Sequence, residues 1–154
     1  MKAYIFPCHG AQTQQMSAEI TAAFPASLSL YKKALETTGL DLLHLTEEQL
    51  ARTRYAQMAI IVHSVASLEK ERAGSSYTSS LALPEPAGLA GFSLGEYTAL
   101  YAAGIIYFVG LLNLVNERAR LMQLAADKNH GAMYAILGLS DEHVEACLSK
   151  IKDV

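Results

Sequence analysis

A serine between two glycines marks the stretch AGFSLGEYTALYAAG, residues 90–104. An apolar run precedes Ser93 and a run with helical spacing follows it, so the serine falls in a turn between a strand and a helix. In the pattern Gly-x-Ser-x-Gly, Gly91 and Gly95 leave room for a sharp turn that exposes the serine Oγ. The pattern predicts a nucleophile whose oxyanion is held in part by the N–H of Leu94. The alternative is an ordinary turn in which the serine caps the following helix.

Arg118 is a candidate for binding a carboxylate. It lies in a predicted helix from about Tyr107 to Asp127. It shares one stripe of that helix with the apolar residues Leu111, Val115, Met122 and Ala125. An arginine on an apolar face needs an anion to offset its desolvation, and it holds a carboxylate with two parallel hydrogen bonds. The alternatives are an ion pair with a glutamate of the protein and a stem that extends to water.

A serine nucleophile needs a base, which is most often a histidine. The five histidines of the chain are His9, His44, His63, His130 and His143. Of these, His9 lies in the one loop that should face the serine. The apolar helix around His63 predicts a hydrogen-bonded core histidine, whereas His44 and His143 are expected on solvated surfaces.

Two predicted strands separated by helices favour a parallel α/β sheet. The strands cover residues 2–6 and 87–91, and helical spacing is found at 17–38, 56–73, 94–103 and 107–127. Pro25 interrupts the first helical segment, Gly39 is expected to end it, and Thr46 is expected to begin a further helix. Residues 131–140 alternate as in a strand, and Asp141 begins a last helix. This last strand and helix have no obvious partner in the sequence.

The composition predicts one globular domain. The chain has 154 residues, of which 51% are hydrophobic, and its net charge of -3 argues against nucleic-acid binding. Cys8 and Cys147 lie far apart without metal-ligand spacing, which indicates free thiols. The sequence shows no signal-peptide pattern and no apolar run long enough to cross a bilayer. We therefore expect a soluble cytoplasmic protein that binds neither nucleic acid nor membranes.

Five segments resemble, in the same order, the malonyl-CoA:acyl carrier protein transacylases and the acyltransferase domains of fatty-acid and polyketide synthases. The serine stretch GFSLGEYTALYAAG is similar to the family's GHSLGEYxAL. The other four are IFPCHGAQ (residues 5–12) beside FPGQGSQ, YAQMAIIVHSVA (55–66) beside TQPALxxxSxA, ERARLMQ (117–123) beside xRGxxMQ, and GAMYAILGL (131–139) beside GxMAAIxGL. Together they cover nearly the whole chain.

The resemblance implies an α/β fold with a parallel-sheet, α/β-hydrolase-like acyltransferase core that is incomplete in this chain. Residues 1–128 would form the N-terminal part of the large domain. Residues 129–154 would form the first strand and helix of a small ferredoxin-like subdomain. The chain thus resembles the N-terminal half of the family only, and no residue matches the family's catalytic histidine. Whether the chain alone is an enzyme is therefore left open.

The resemblance also implies covalent, ping-pong catalysis. Malonyl-CoA would acylate Ser93, and the malonyl group would then pass to the phosphopantetheine thiol of an acyl carrier protein. The N–H groups of Leu94 and His9 would form the oxyanion hole, and Arg118 would bind the free carboxylate of the malonyl group. No cofactor or metal is held permanently in this mechanism, and malonyl-CoA is the substrate.

The resemblance further implies that Gln57 lines the substrate pocket. By the same resemblance Phe92 would also lie at the pocket, because it stands in the place of a family histidine that is linked with the choice of acyl group, so the preference for malonyl is open. Other departures from the family pattern are Cys8, Ala11, Met58 and Ala119.

Two alternative functions remain open beside the acyltransferase. One is a non-catalytic module, or an inactive fragment, that binds carrier protein or CoA. The other is a serine thioesterase or hydrolase that uses the same turn with another base. For the acyltransferase, a separate C-terminal half would supply the histidine, and the open edges of an incomplete sheet favour self-association.

Overall fold

The computed structural model describes residues 2–75, 86–128 and 136–151. The strands in these ranges are β1 (Ala3–Phe6) and β2 (Gly88–Gly91). The helices are α1 (Met16–Ala23), α2 (Leu28–Thr38), α3 (Glu47–Ala51), α4 (Thr53–Ser75), α5 (Gly95–Ala102), α6 (Phe108–Lys128) and α7 (Asp141–Leu148), with one turn of 3₁₀ helix at Pro25–Ser27. None of the helices described is both long enough and apolar enough to span a membrane.

The two strands pair in parallel, with Ala3 opposite Gly88 and Phe6 opposite Gly91. Parallel neighbours need a crossover connection, which here includes α1 to α4. The predicted parallel α/β architecture is therefore confirmed, with two strands in the described part of the chain. Because the carboxyl ends of parallel strands meet at one edge of a sheet, the loop after β1 and the turn after β2 lie side by side.

Local signals set the helix ends as the sequence predicts. Gly39 ends α2 in the left-handed region at φ 72°, where a residue without a Cβ is not strained. Thr46 begins α3 with a capping box, whose reciprocal partner is Gln49. The Gln49 N–H donates to Thr46 Oγ1 at 3.2 Å, and the Thr46 N–H donates to Gln49 Oε1 at 3.0 Å. These caps fix the path of the chain into α4.

The hydrophobic core is centred on α4. Every residue from Ala56 to Ala66 is buried except the partly buried His63, as is typical of a helix that is apolar on most sides. The helix packs against α1, α2, α3, α5 and α6. From α6 the core receives Leu111, Leu112, Val115 and Ala119, each 0% exposed. The helices that carry Gln57 and Arg118 thus pack directly against each other.

The C-terminal region departs from its predicted structure. Of the strand predicted at 131–140, residues 131–135 lie outside the described residues, as does His130, and 136–140 form no strand. The last helix begins at Asp141 as predicted, but none of its residues is buried. Alternation alone does not form a strand without a neighbouring strand to pair with. The division of the chain at residue 128 into two domains stays a prediction.

The hydrogen-bonding groups of the His63 ring are not all paired, in contrast to the prediction of a hydrogen-bonded core histidine. Its Nδ1 is buried and has no hydrogen-bond partner among the described residues. Burial lowers the pKa of His63 below its ordinary value of 6.5, and the backbone of Met16 and the carboxylate of Glu19 oppose this shift only in part. Burial therefore favours the neutral form of the His63 imidazole in the folded chain.

The free energy of unfolding is expected to fall as the pH falls from 7.5 to 5.5, and less steeply in His63→Gln. In this range the unfolded chain takes up a proton at His63 before the folded chain does, because the folded pKa is the lower one. Urea denaturation at several pH values measures the slope. The control is His143→Gln, at an exposed residue of α7. Equal slopes in wild type and His63→Gln would contradict the assignment.

Candidate active site

Ser93 lies in the turn between β2 and α5, as the sequence predicts. Its φ of 52° makes it the one described residue other than glycine with a positive φ, and its side chain is exposed. A left-handed backbone costs a residue with a side chain about 1–3 kcal/mol. The fold thus exposes the Ser93 hydroxyl at the edge of the sheet, and the backbone of Ser93 is strained as a result.

The two glycines around Ser93 are required by backbone contacts. A Cβ on Gly95 would lie 2.2 Å from the carbonyl oxygen of Phe6, at the end of β1. A Cβ on Gly91 would lie 2.1 Å from the carbonyl carbon of Gly95. Both distances are far shorter than any real carbon contact, so the start of α5 sits directly against the ends of both strands. The two glycines therefore allow α5 to pack closely against β1 and β2, in addition to allowing the turn.

At the start of α5, the N–H of Leu94 has no acceptor among the described residues. The N–H groups of Gly95, Glu96 and Tyr97 each donate to the carbonyl oxygen three residues earlier, whereas that of Leu94 has no hydrogen-bond partner in the described ranges. A helix N-terminus carries a partial positive charge and favours an anion. Leu94 is 0% exposed, so this N–H is closed to solvent in the structure, and its role in an oxyanion hole stays a prediction.

Arg118 reaches across from α6 to the serine. Its Nη2 donates to Ser93 Oγ at 3.3 Å, and its Nη1 donates to Gln57 Oε1. The guanidinium carbon also lies 5.6 Å from the centre of the Tyr97 ring, which is a cation–π contact. No carboxylate in the described ranges forms an ion pair with Arg118. Within the described ranges, the site therefore holds a cation beside the hydroxyl without a protein anion to neutralise it.

The apolar stripe predicted around Arg118 needs correction. Leu111 and Val115 are buried, but Met122 is 40% exposed and Ala125 is exposed. After Ala119, α6 extends past the part of the core that the structure describes, so its later turns face outward. Arg118 itself is partly buried at the edge of this packing surface.

Gln57 links Arg118 to α4. It is 0% exposed, and its amide has partners at both ends. Its Nε2 donates to Thr53 Oγ1 at 3.1 Å and to Met122 Sδ at 3.3 Å, while its Oε1 accepts from Arg118. The sequence did not point to Thr53, Met122 or Tyr97 as site residues. The spacing of four residues between Thr53 and Gln57 on one helix was the available signal.

His9 lies in the exposed loop that follows β1. Partial burial and the positive charge of Arg118 lower the pKa of His9, so its imidazole is a weaker base than that of an ordinary histidine. The N–H of His9 has no acceptor among the described residues, and its carbonyl oxygen accepts from Cys8 Sγ at 3.2 Å. A role of the His9 N–H in an oxyanion hole stays a prediction.

Phe92 precedes the serine and is 71% exposed. Its backbone N–H donates to Phe6 O at 3.3 Å, which ties the turn to β1 and leaves the ring outside the core. The predicted substrate contact of this ring stays a prediction. In the ranges described, no three His, Cys, Asp or Glu side chains are grouped as metal ligands.

Sequence comparison assigns the chain to a family. The family model described as acyl transferase domain matches residues 3–154. The malonyl CoA-acyl carrier protein transacylase of Haemophilus influenzae is 36% identical over 150 residues, covering 94% of this chain and 46% of the relative. The polyketide biosynthesis protein ThaF of Burkholderia thailandensis is 38% identical over 156 residues, covering 97% of this chain and 12% of the relative.

Solved structures give the same result. The malonyl CoA-acyl carrier protein transacylase of Coxiella burnetii matches with a TM-score of 0.79 at 34% identity, covering 96% of this chain and 46% of that chain. A malonyl-transacylase solved in complex with a type II polyketide synthase acyl-carrier protein matches with a TM-score of 0.76 at 36% identity, covering 96% and 47%.

This chain spans about half the length of the transacylases that it matches. The family match begins at residue 3 and includes the serine turn, Gln57 and Arg118. Sequence and fold agree over nearly all of the chain. The chain therefore belongs to the acyl transferase domain family and has the α/β fold of the matching part of its malonyl-CoA:acyl carrier protein transacylases.

Proposed function

We propose that this chain is the serine-bearing half of an acyltransferase that moves a malonyl group from CoA to an acyl carrier protein. The observation that carries the proposal is the contact of Arg118 with Ser93, in which the cation has no carboxylate partner among the described residues. A short acyl group that is esterified to Ser93 Oγ and ends in a free carboxylate would place that carboxylate at the guanidinium. Arginine binds such a group with two charge-assisted hydrogen bonds.

The first step is acylation of the serine. Ser93 Oγ attacks the thioester carbonyl, the new O–C bond forms, and the C–S bond of CoA breaks. The serine proton passes through a base to the leaving sulfur. The oxyanion of the tetrahedral intermediate accepts hydrogen bonds from the N–H groups of Leu94 and His9. In the second step the thiol of the carrier protein attacks the acyl-serine carbonyl, a new S–C bond forms, and the O–C bond to Ser93 breaks. The thiol proton passes through the base to Ser93 Oγ, and the acyl thioester is released.

We propose that the base lies in the part of the family fold that this chain does not match. The support is the share of the relatives that the chain spans, which is 46%, and the lowered pKa of His9. A neutral imidazole beside a fixed guanidinium resists the proton that a general base must accept. We propose that a histidine from another segment, in the same polypeptide or in a separate one, acts as this base.

The proposed acceptor is an acyl carrier protein. Relatives at 36% and 38% identity are named for acyl carrier protein transacylation and for polyketide biosynthesis. A structural neighbour at 36% identity is described as a complex with an acyl-carrier protein of a type II polyketide synthase. The relatives include malonyl CoA-acyl carrier protein transacylases and a polyketide biosynthesis protein. The proposal therefore names an acyl carrier protein as the acceptor and does not assign it to one biosynthetic pathway.

The test is acylation of Ser93. We expect malonyl-CoA to add one malonyl group to the peptide that carries Ser93, slowly with the chain alone and faster when the C-terminal half of the Haemophilus influenzae relative is added. Removing a catalytic base while the nucleophile and oxyanion donors remain typically costs several orders of magnitude in rate. Mass spectrometry of the digested protein measures the adduct. The controls are Ser93→Ala and Ser29→Ala, the second at an exposed serine of α2.

Three outcomes separate the functions. Transfer of the adduct to the thiol of an acyl carrier protein supports the acyltransferase. Release of the adduct to water alone supports a hydrolase instead. If no adduct forms on Ser93 even with the complementary half present, the proposal fails and a non-catalytic module is the better description.

A further inference from the structure

The orientation of one buried amide decides which way Arg118 faces. A guanidinium has donors only, so the group that holds it must present an acceptor. Gln57 presents its Oε1 to Arg118. If the side-chain amide were turned by 180°, its NH₂ group would face Arg118 instead. The N–H donors of the amide would then point at the N–H donors of the guanidinium. Gln57 is 0% exposed, so water does not compensate for a wrong orientation.

Two side chains on the other side of the amide fix its orientation. Thr53 Oγ1 and Met122 Sδ both lie within hydrogen-bond distance of Gln57 Nε2, at 3.1 and 3.3 Å. The threonine hydroxyl donates as well as accepts, so alone it would tolerate either orientation. A thioether sulfur only accepts, so Met122 requires the NH₂ group on its side. The sulfur therefore selects the orientation, and the hydroxyl strengthens it.

Two contacts then hold the guanidinium in its direction towards Ser93. The Gln57 carbonyl fixes Nη1, the Tyr97 ring lies 5.6 Å from the guanidinium carbon, and Nη2 is left directed at Ser93 Oγ at 3.3 Å. An amide that is free to turn would release Nη1 and allow the arginine side chain to rotate away from the serine. The second contact with Arg118, on the Tyr97 face, has no directional hydrogen bond to prevent this.

We propose that Thr53 and Met122 are positioning residues for acyl-group selection, because they hold the Gln57 amide so that Arg118 faces the acyl group on Ser93. This inference rests on the proposed function for its effect on catalysis. An acyl group with a free carboxylate depends on the aim of Arg118, whereas a neutral acyl group such as acetyl does not. Loss of either acceptor therefore lowers the preference for malonyl and spares acetyl.

The experiment compares Thr53→Val and Met122→Leu, which keep the size of the side chain and remove the acceptor, with Thr53→Ser, which keeps the hydroxyl. Thr21→Val makes the same chemical change on α1 and is the matched control. The ratio of malonyl to acetyl adducts on Ser93 is expected to fall about fivefold in Thr53→Val and in Met122→Leu, which is the effect of one net hydrogen bond. Thr53→Ser and Thr21→Val are expected to stay within roughly twofold of wild type.

A second measurement does not depend on acylation. Nuclear magnetic resonance of the Arg118 guanidinium reports how fast its terminal NH₂ groups rotate. Slow rotation in wild type and faster rotation in Thr53→Val and Met122→Leu support the positioning role. Unchanged rotation in both variants overturns it, and so does an equal loss of malonyl and acetyl adducts. If wild type forms no adduct, the proposed function fails, and the rotation rates still decide the role of Thr53 and Met122.

Discussion

Arg118→Ala is expected to slow the acylation of Ser93 by malonyl-CoA about a hundredfold and to change acylation by acetyl-CoA by no more than about threefold. The arginine lies 3.3 Å from the serine hydroxyl and has no protein carboxylate to hold in the described ranges. Removing it takes two charge-assisted hydrogen bonds from the malonyl group and none from acetyl. The variant is therefore expected to lose its preference for malonyl over acetyl, while Ser93 stays reactive.

The measurement is the rate of adduct formation with each acyl-CoA, followed by mass spectrometry in the presence of the complementary half. Arg120→Ala is the matched control on the same helix. Arg120 is exposed and paired with Glu117 at 2.6 Å, so its loss should leave both rates unchanged. Equal loss of malonyl and acetyl transfer in Arg118→Ala, or the same profile in Arg120→Ala, would contradict carboxylate recognition by Arg118.

Gly95→Ala is expected to destabilise the protein by about 3 kcal/mol or more, which is a large part of the stability of a small domain. The added Cβ would lie 2.2 Å from the Phe6 carbonyl oxygen and 2.9 Å from that of Pro7. These atoms belong to the backbone at the end of β1, so they cannot swing aside as a flexible side chain does. The start of α5 must move away from the sheet, and Ser93 moves with it.

Chemical denaturation measures the loss, and Gly88→Ala is the matched control on β2. A Cβ on Gly88 meets nothing within 4 Å, so the control is expected to change the free energy of unfolding by no more than about 0.5 kcal/mol. If Gly95→Ala were as stable as wild type, the close approach of α5 to β1 would be wrong.

Most elements could be predicted because their signals are local. Gly39 ends α2 and Thr46 begins α3 through contacts within a few residues of the chain. The two strands are short apolar runs separated by helices, and the parallel pairing follows from that order. Burial along α6 could not be predicted, because it depends on where the packing surface of α4 ends. Met122 belongs to the periodic pattern and yet is 40% exposed.

Some residues of the candidate site could likewise be predicted from the sequence, whereas the contacts between them could not. Ser93 and Arg118 could be proposed from the sequence, since a motif marks the first and a charge in an apolar pattern marks the second. The contacts of Gln57 with Arg118 and Met122 join positions 61 and 65 residues apart. No periodicity within one helix reports such a pairing. Only the packing of α4 on α6 brings these side chains together.

The left-handed backbone at Ser93 has an evolutionary consequence. A glycine there would adopt φ 52° without strain, and the chain already carries glycine two residues away on either side. A side chain at this position therefore costs stability, and the proposed chemistry requires the hydroxyl that this side chain carries. In a lineage released from selection for chemistry, drift should favour glycine at position 93 before the neighbouring core residues change.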